Sequence, residues 1–290
     1  MNILRIHSFY FAALSTGADN FVRCPPDAMK WHRRKYLLIE EILHINADVI
    51  CLQEVDHFAF FKQILFHVGY TGHFFPKPWS PCLNAPDSNG PDGCALFYRS
   101  SRLELVRKQT LNLLERDDKE TNQVCLMGEF KDKVTDREFV VVTTHFKAKP
   151  EYHQVRFHEG VFMEKNVESF RSGKPVLICG DFNAEPTEDV VKYYQASALE
   201  LQSAYTQLSE SGCENPAYTT WKIRGSKTPG GKEKEACHTI DYMWYQPKHM
   251  GVTSLLSIPS GDEIGPNRLP SWHYPSDHFS LAADFIFNQG

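Results

Sequence analysis

Several features that would mark a specialised class of protein are missing from this sequence. No apolar run approaches the roughly 20 residues that a membrane-spanning helix needs. The 8 cysteines are scattered singly, without a C-x-x-C pair. Cys51, Cys125 and Cys179 lie inside apolar runs, where a reduced thiol packs as a small hydrophobe. These absences predict no insertion into a membrane and indicate a reducing compartment.

Positive charge is not in excess either. The formal net charge of −5 argues against indiscriminate binding to long nucleic acid, whose affinity depends on Lys and Arg contacts to phosphates. RNA is therefore a partner that the composition does not favour, although a local basic patch remains compatible with it.

Repeats, linkers and low-complexity segments are also absent. Over 290 residues, this absence predicts a single domain covering residues 1–290. The first 18 residues faintly resemble a signal peptide, but Arg5 and His7 interrupt the apolar core. We therefore expect a cytoplasmic protein, or a mitochondrial one if targeting residues precede this chain.

The periodicity of apolar residues predicts a mixed α/β fold. Helices are expected after Pro25, after Asp56 and over residues 151–170 and 187–194. Strands are expected over residues 48–52, 70–75, 94–98, 103–111, 123–130, 138–144, 176–179, 218–223, 240–245 and 279–287. The Gly- and Lys-rich residues 225–235 are expected to form a mobile surface loop.

The stretch from Pro175 to Pro186 joins a buried strand to a polar turn. Four apolar residues end at Gly180, and Asp181 and Asn183 follow at alternate positions. In extended backbone, alternate side chains leave on the same side, so a carboxylate and a carboxamide are predicted to lie together at the strand exit. An ordinary turn is the alternative, because Asp, Asn and Gly are common turn residues.

Polar residues recur where the other predicted strands end. The full set is Asn2, Glu54, His145, Asp181, Asn183, Asp241, Asp277 and His278. Carboxylates gathered at one rim need a cation to offset their repulsion, and hard oxygen donors suit Mg²⁺ or Mn²⁺ better than zinc. The pattern therefore favours a metal-assisted reaction at a phosphate. Asp92, between Pro91 and Gly93, is interpreted as a turn residue.

These motifs, in this order, resemble the endonuclease/exonuclease/phosphatase superfamily. The matching segments are Leu52-Gln-Glu-Val-Asp56, Thr144-His-Phe-Lys-Ala148, Gly180-Asp-Phe-Asn-Ala-Glu-Pro186, Thr239-Ile-Asp-Tyr242 and Pro275-Ser-Asp-His278. The resemblance implies a four-layer α/β/β/α sandwich of two packed mixed sheets. It also implies roles for the site residues: Glu54 as the principal Mg²⁺ ligand with Asp277 beside the metal, Asp181 on the attacking water, Asn183 on the phosphate, Asp241 paired with His278, and His278 with His145 facing the phosphate oxygens.

Within this superfamily, further segments resemble a branch related to the Ccr4-type deadenylases. They are residues 19–25, 75–83, 89–95, 218–224 and 264–270. The resemblance implies removal of the 2′-phosphate from NADP(H), leaving NAD(H). Lys77, Lys147, Lys149 and Arg156 are then candidates to grip the phosphates of this substrate. Surface charges without a role are the alternative for Lys77 and Lys149. Lys149 stands where the branch usually has Arg, so weaker affinity is expected.

The N-terminus departs from the pattern. The superfamily has a full strand before an Asn that contacts the metal-bound phosphate, whereas Asn2 follows Met1 directly. One hypothesis makes Asn2 that Asn, on a truncated first strand, with residues 1–18 atypical. The other has residues 3–10 replace the strand and point Ser8 or His7 to the site.

Two other functions stay open beside the phosphatase. A 3′-exonuclease that shortens poly(A) is implied by the deadenylase relatives. A catalytically weak scaffold or binding protein is suggested by the truncated strand, since loss of a central strand is a severe defect.

Overall fold

The fold is built on two mixed β-sheets that pack face to face. The computed structural model describes residues 2–11, 20–85, 88–226 and 231–288. In this part of the chain the helices are α1 (Trp31–Ile45), α2 (Phe58–His67), α3 (His153–Arg171), α4 (Asp189–Gln195) and α5 (Gly261–Ile264). The strands are β1 (Leu4–Tyr10), β2 (Val49–Gln53), β3 (Tyr70–Pro76), β4 (Gly93–Arg99), β5 (Leu103–Leu114), β6 (Glu120–Asp132), β7 (Glu138–His145), β8 (Val176–Asp181), β9 (Gln202–Ser203), β10 (Thr220–Arg224), β11 (Lys234–His238), β12 (Asp241–Tyr245), β13 (Met250–Leu255) and β14 (Leu281–Phe287).

Each large sheet has six strands. The first has the order β13-β14-β1-β2-β4-β3, the second has the order β5-β6-β7-β8-β12-β9, and β10 and β11 form a separate hairpin. Strands β1 and β2 are parallel, as are β7 and β8, and the other pairs are antiparallel. In a parallel pair, the carboxyl ends of both strands lie at the same edge of the sheet. The polar residues that follow these strands therefore lie close together.

Alternation of apolar residues divides the core into layers. Leu4, Cys51, Leu126 and Leu177 share one buried cluster between the two sheets. The opposite face of the first sheet packs on α1 and α2 in a second cluster, and that of the second sheet packs on α3 and α4 in a third. The four-layer α/β/β/α sandwich is confirmed. None of the helices in the described residues has the length and apolarity required to cross a bilayer.

The first strand is complete, contrary to the prediction of a truncated one. β1 pairs in parallel with β2 and antiparallel with β14, and Tyr10 lies opposite Gln53. Asn2 is exposed and precedes the strand. Since a strand rises about 3.3 Å per residue, Asn2 is roughly 26 Å from Tyr10 along it. The hypothesis that Asn2 is a site residue is therefore wrong. Residues 12–19 of the atypical N-terminal segment lie outside the described residues.

Other differences concern where elements begin and end. The first helix begins at Trp31 rather than directly after Pro25. β8 does not end at Gly180 but continues through it to Asp181. Position 180 requires glycine, since an added Cβ would lie 2.0 Å from the carbonyl oxygen of Thr144 on the neighbouring strand. Part of the expected surface loop is strand β11, while residues 227–230 lie outside the description.

Candidate active site

Strand register brings most of the predicted residues to one rim of the sandwich. His145 lies opposite Asp181 at the ends of the parallel strands β7 and β8, and Asp181 lies opposite Asp241 at the start of β12. Glu54 directly follows β2, with a left-handed φ of 51°. Such a conformation costs energy for a non-glycine residue and is often retained where function requires it.

His278 and Asp241 form a buried pair at the centre of the rim. Nδ1 of His278 lies 2.9 Å from Oδ2 of Asp241, which also accepts a 2.6 Å hydrogen bond from the Thr219 hydroxyl. Burial is the largest effect and lowers the pKa of His278, but the charges of Asp241 and Asp277 together with the hydrogen bond to Asp241 outweigh it, so the pKa is raised above its ordinary value. The pairing that the resemblance implied is present, and it fixes the orientation of the imidazole.

Asp181 is buried beside this pair. Burial and the neighbouring charge of Asp241 raise the pKa of Asp181 to about 8. One of its carboxylate oxygens accepts a 2.7 Å hydrogen bond from the backbone N–H of Asn183. Asn183 has φ 49° and is not in extended backbone, so the alternation argument does not hold for it, and its contact with Asp181 is made by the backbone N–H rather than by the carboxamide. The side-chain amide nitrogen of Asn183, Nδ2, donates to the carbonyl oxygen of Phe146 at 2.9 Å.

His145 lies between two carboxylates without bonding to either. Its Nε2 is 3.7 Å from Asp181 and its Nδ1 is 3.9 Å from Glu54. Both ring nitrogens are buried and have no hydrogen-bond partner among the described residues. Burial and the positive charge of Lys77 lower the pKa of His145 well below its ordinary value. The ring is therefore neutral at neutral pH.

Lys77 is held inside the rim rather than exposed on the surface. Its Nζ is 2.6 Å from Asp92 and 3.7 Å from Glu54, and the side chain is buried. Burial lowers the pKa of Lys77, but Glu54 and Asp92 outweigh burial and raise it. The interpretation of Lys77 as a solvated charge is therefore wrong, as is that of Asp92 as a simple turn residue. Asp92 is buried and also accepts from Ser80.

Two cations that the sequence analysis did not select reach Asp277 from β10. Nζ of Lys222 bonds to Asp277 and lies 3.2 Å from Nε2 of His278. Arg224 lies 3.8 Å from Asp277. Burial raises the pKa of Asp277, but the charges of Lys222 and His278 outweigh it, so the pKa is lowered. Lys222 and Arg224 alternate along one strand of a matching motif, a signal that was available in the sequence.

The remaining predicted phosphate-binding residues behave differently from one another. Arg156 is fully buried, and its guanidinium donates to Glu188 at 2.6 Å and to the carbonyl oxygens of Lys147 and Lys149 at 2.9 and 2.7 Å. It holds the loop after β7 and is not free to bind substrate, so that prediction is wrong. Lys147 is partly exposed and Lys149 exposed on this loop.

Tyr10 is the residue of β1 that enters the rim, in place of Ser8 or His7. Its ring stacks on His278 at a centroid distance of 4.1 Å and meets His145 edge-on at 5.4 Å. Ser8 lies deeper, 3.5 Å from the Gln53 amide, and His7 contacts Ser280 at 3.0 Å. Nothing local in the sequence marks Tyr10, because only the register of β1 places it there.

The donor set fits a hard divalent cation. The rim carries several carboxylates. Within the described part of the chain, Oδ1 of Asp277 is buried without a hydrogen-bond partner, as expected for an atom that a cation can contact. Asp181, Asp241 and His278 also offer donor atoms that all lie within 4.8 Å of one another. Asp241 and Nδ1 of His278 bond to each other, whereas Glu54 and Asp277 are further carboxylates of the same rim.

Comparisons with known proteins agree with this geometry. The sequence profile of the endonuclease/exonuclease/phosphatase family matches residues 2–278. Nocturnin from Xenopus laevis is 49% identical over 280 residues, covering 96% of this chain and 70% of that protein. Nocturnin from Rattus norvegicus is 48% identical over 280 residues, and this chain spans 64% of its length. An exoribonuclease subunit of the Candida albicans CCR4-Not complex is 25% identical over 312 residues, covering 92% of this chain and 39% of that subunit.

Solved structures give the same picture. The human Nocturnin catalytic domain with bound sulfate superposes with a TM-score of 0.83 at 39% identity, covering 99% of this chain and 94% of that one. The 2′,3′-cyclic phosphatase ANGEL2 superposes with a TM-score of 0.78 at 19% identity, covering 98% and 95%, a likeness of fold alone. The resemblance predicted from the motifs is confirmed.

Proposed function

Because the chain belongs to the endonuclease/exonuclease/phosphatase family of hydrolases, we propose that it is a Mg²⁺-dependent phosphatase that removes the 2′-phosphate of NADP(H). The observation that carries this proposal is the arrangement at the rim, where the Asp241–His278 pair lies beside Asp181 and the cations of Lys77, Lys222 and Arg224 reach the neighbouring carboxylates Asp92 and Asp277. Likeness to the Nocturnins supports the choice of substrate.

The charge distribution suits a compact polyanion. NADP(H) brings a monoester phosphate and a pyrophosphate, and local cations can hold them although the chain as a whole is negative. Lys147 and Lys149 on the loop after β7 are candidates for the outer phosphates. Lys149 offers a point charge rather than the planar fork of Arg, so its contact is less directional.

The side chains have distinct tasks in this reaction. Asp181, with its raised pKa, accepts a proton from the attacking water more readily than an ordinary Asp, and it is ionised increasingly as the pH rises towards 8. Nδ1 of His278 donates to Asp241, which directs Nε2 at the phosphate together with Lys222. The side chain of Asn183 binds the phosphate as well.

The cation belongs beside Glu54 and Asp277. Mg²⁺ or Mn²⁺, when bound, would supply positive charge that offsets the carboxylates and polarises a phosphate oxygen. Glu54 and Asp277 suit it as oxygen donors.

Phosphate release is the direct test. The purified chain with Mg²⁺ and NADPH should yield inorganic phosphate and NADH, measured by a colorimetric assay and chromatography. Glu54→Gln should lower the rate at least about a hundredfold, since even indirect partners of a metal cost 10–100-fold when removed. Glu104→Gln, exposed on β5, is the matched control and should leave the rate unchanged. A folded wild type that leaves NADPH intact would contradict the proposal.

The 3′-exonuclease is the second candidate, favoured by the likeness to CCR4-Not exoribonuclease subunits. It predicts stepwise shortening of an oligo(A) substrate by the wild type but not by Glu54→Gln. The scaffold hypothesis was based on a truncated first strand. Because β1 is paired on both sides, that reason no longer applies.

A further inference from the structure

Residues 146–149, here called the lysine segment, follow β7 and carry the two lysines that are candidates for the outer phosphates. The first residue of the segment is still fixed to the end of β8, since the Phe146 N–H donates to the carbonyl oxygen of Asp181 at 2.9 Å. Lys147 is partly exposed and Lys149 is exposed. The lysine segment therefore begins at the candidate site, and its cationic side chains lie at the surface beside it.

Two fully buried side chains of α3, Glu159 and Arg156, bond to the backbone of the lysine segment. Oε2 of Glu159 accepts a 2.9 Å hydrogen bond from the Lys147 N–H. Nη1 of Arg156 donates to the carbonyl oxygens of Lys147 and Lys149 at 2.9 and 2.7 Å. An anion thus holds a donor of the segment and a cation holds two of its acceptors, and hydrogen bonds to charged groups are stronger than those between neutral groups.

The backbone of Lys149 has a conformation that needs such support. Its φ of 80° lies in the left-handed region, which is costly for a residue with a side chain. Pro150 follows it, and a residue before proline normally has a negative φ and extended backbone. The hydrogen bond from Arg156 to the Lys149 carbonyl oxygen opposes relaxation of the segment to that ordinary conformation.

The helix that carries Glu159 and Arg156 is itself fixed to its neighbours. Nε and Nη2 of Arg156 donate to Glu188, just before α4, at 3.1 and 2.6 Å. At Gly160 the two helices approach so closely that an added Cβ would lie 2.6 Å from Cγ2 of Val190, and the Tyr194 hydroxyl donates to the Gly160 carbonyl oxygen at 3.2 Å. The lysine segment is therefore held from a rigid element, which positions a binding loop more precisely than other loops could.

We propose that Glu159 and Arg156 act as a clamp, which positions the two lysines of the lysine segment for those phosphates of the substrate that are not removed. The inference rests on the proposed function. A segment that is ordered before binding does not pay the entropy of ordering when the ligand arrives, so its affinity for a phosphate rises without any new contact. The clamp thereby favours substrates that carry a diphosphate in addition to the 2′-phosphate.

Binding of two nucleotides in EDTA tests the clamp without turnover. ADP carries a diphosphate but no 2′-phosphate, whereas adenosine 2′-monophosphate carries only the phosphate that the proposed reaction removes. Glu159→Leu removes the acceptor at nearly constant size, and calorimetry should show about tenfold weaker ADP binding, the change expected for one hydrogen bond to a charged group. Its binding of adenosine 2′-monophosphate should be unchanged. Glu159→Gln keeps an acceptor oxygen and should bind ADP as the wild type does.

A matched control and a second variant separate the clamp from general destabilisation of α3. Glu164 is also buried on this helix but accepts from the Ser197 hydroxyl, so Glu164→Leu should leave both affinities unchanged. Arg156→Lys keeps the charge without the planar guanidinium and should weaken ADP binding as Glu159→Leu does. Hydrogen exchange at the Lys147 amide should be about tenfold faster in Glu159→Leu, since the lost hydrogen bond protects it.

The outcomes separate this inference from the proposed function. Equal ADP affinity in wild type and Glu159→Leu, or an equal loss for both nucleotides, would overturn the clamp in protein with a native circular dichroism spectrum, even if wild type releases phosphate from NADPH. A selective loss of ADP affinity with faster exchange at the Lys147 amide, while every form leaves NADPH intact, would support the clamp and contradict the proposed substrate.

Discussion

Both ends of the sandwich contain buried charges, but they use them differently. At the end away from the candidate site, Arg102 bonds to Asp48 at 2.7 Å and to Asp132 at 3.1 Å, while Arg5 bonds to Asp284 at 2.6 Å. The backbone N–H groups of Arg5 and Val134 add hydrogen bonds to Asp48 and Asp132, both at 2.9 Å.

At the rim, pairing is incomplete. In the residues that the structure describes, no group bonds to the two buried nitrogens of His145 or to one buried oxygen of Asp277. Asp181 has an acidic neighbour in Asp241, and its pKa is raised, whereas the pKa of Asp132 is lowered because the Val134 N–H and Arg102 outweigh its burial. Buried charge stabilises a fold where guanidinium groups and N–H donors satisfy it. Where charge is left partly unsatisfied, it is available to a ligand.

Removing the charge of Asp241 should give the largest effect. Asp241→Asn is isosteric but no longer stabilises a charged His278, and loss of such an orienting carboxylate costs about 10⁴-fold in turnover in a well-studied histidine-dependent enzyme. We expect phosphate release from NADPH to fall by about 10³–10⁴-fold. Asp284→Asn at the opposite end is the control and should retain the wild-type rate per folded molecule. Equal losses in both variants would remove the distinction between the two ends.

Arg102→Met, at the end away from the candidate site, should lower stability and leave activity unchanged. The methionine keeps most of the aliphatic volume but leaves Asp132 buried without its guanidinium partner, which should lower the free energy of unfolding by about 3 kcal/mol. Urea unfolding measures the loss, and phosphate release per folded molecule should be unchanged. Lys131→Met removes an exposed pair with Asp136 and should cost about 1 kcal/mol or less. A loss for Arg102→Met no larger than that of Lys131→Met would refute a structural role for this cluster.

The two ends should also differ in the pH dependence of stability. The pKa of Asp181 is raised from 3.8 to about 8 on folding, so the folded state binds this proton more tightly. Its contribution to stability is fully present below pH 3.8 and is lost as the pH rises towards 8. The difference in unfolding free energy between wild type and Asp181→Asn, measured in EDTA, should therefore decline across this range.

Asp132 should show the opposite sign. Its folded pKa is lowered from 3.8, so its contribution is present above that pH and is lost as the pH falls through the folded pKa. The difference between wild type and Asp132→Asn should be flat from pH 4 to 8. Parallel curves for the two variants would show that the two ends are not electrostatically distinct.

Much of the site could be predicted because its residues follow strands. Glu54, His145 and Asp181 come directly after or at the end of apolar runs, and such runs are local signals. The mixed α/β class followed from the same runs, whereas the four-layer sandwich was implied by the family resemblance that the motifs carry. The boundaries were less certain: Gly180 ends an apolar run but not a strand, since its missing Cβ allows close approach of Thr144.

The errors concern residues whose role depends on a distant partner. Arg156 has the local appearance of a phosphate-binding residue, yet its guanidinium bonds to Glu188 and to loop carbonyl oxygens. Lys77 has the local appearance of a surface charge, yet it is buried and bonds to Asp92. Lys222 was overlooked because its partner Asp277 is 55 positions away in the chain.

The sequence by itself determined most of the elements and the chemical character of their ends, because side-chain alternation and burial of apolar runs act over a few residues. Only the tertiary structure decided which end of β1 meets the rim, since this depends on its register with β2 and β14. That register moves Asn2 to the far end and brings Tyr10 onto His278. The tertiary structure also decided which buried charges have an oppositely charged partner, because the two members of such an ion pair lie far apart in the sequence.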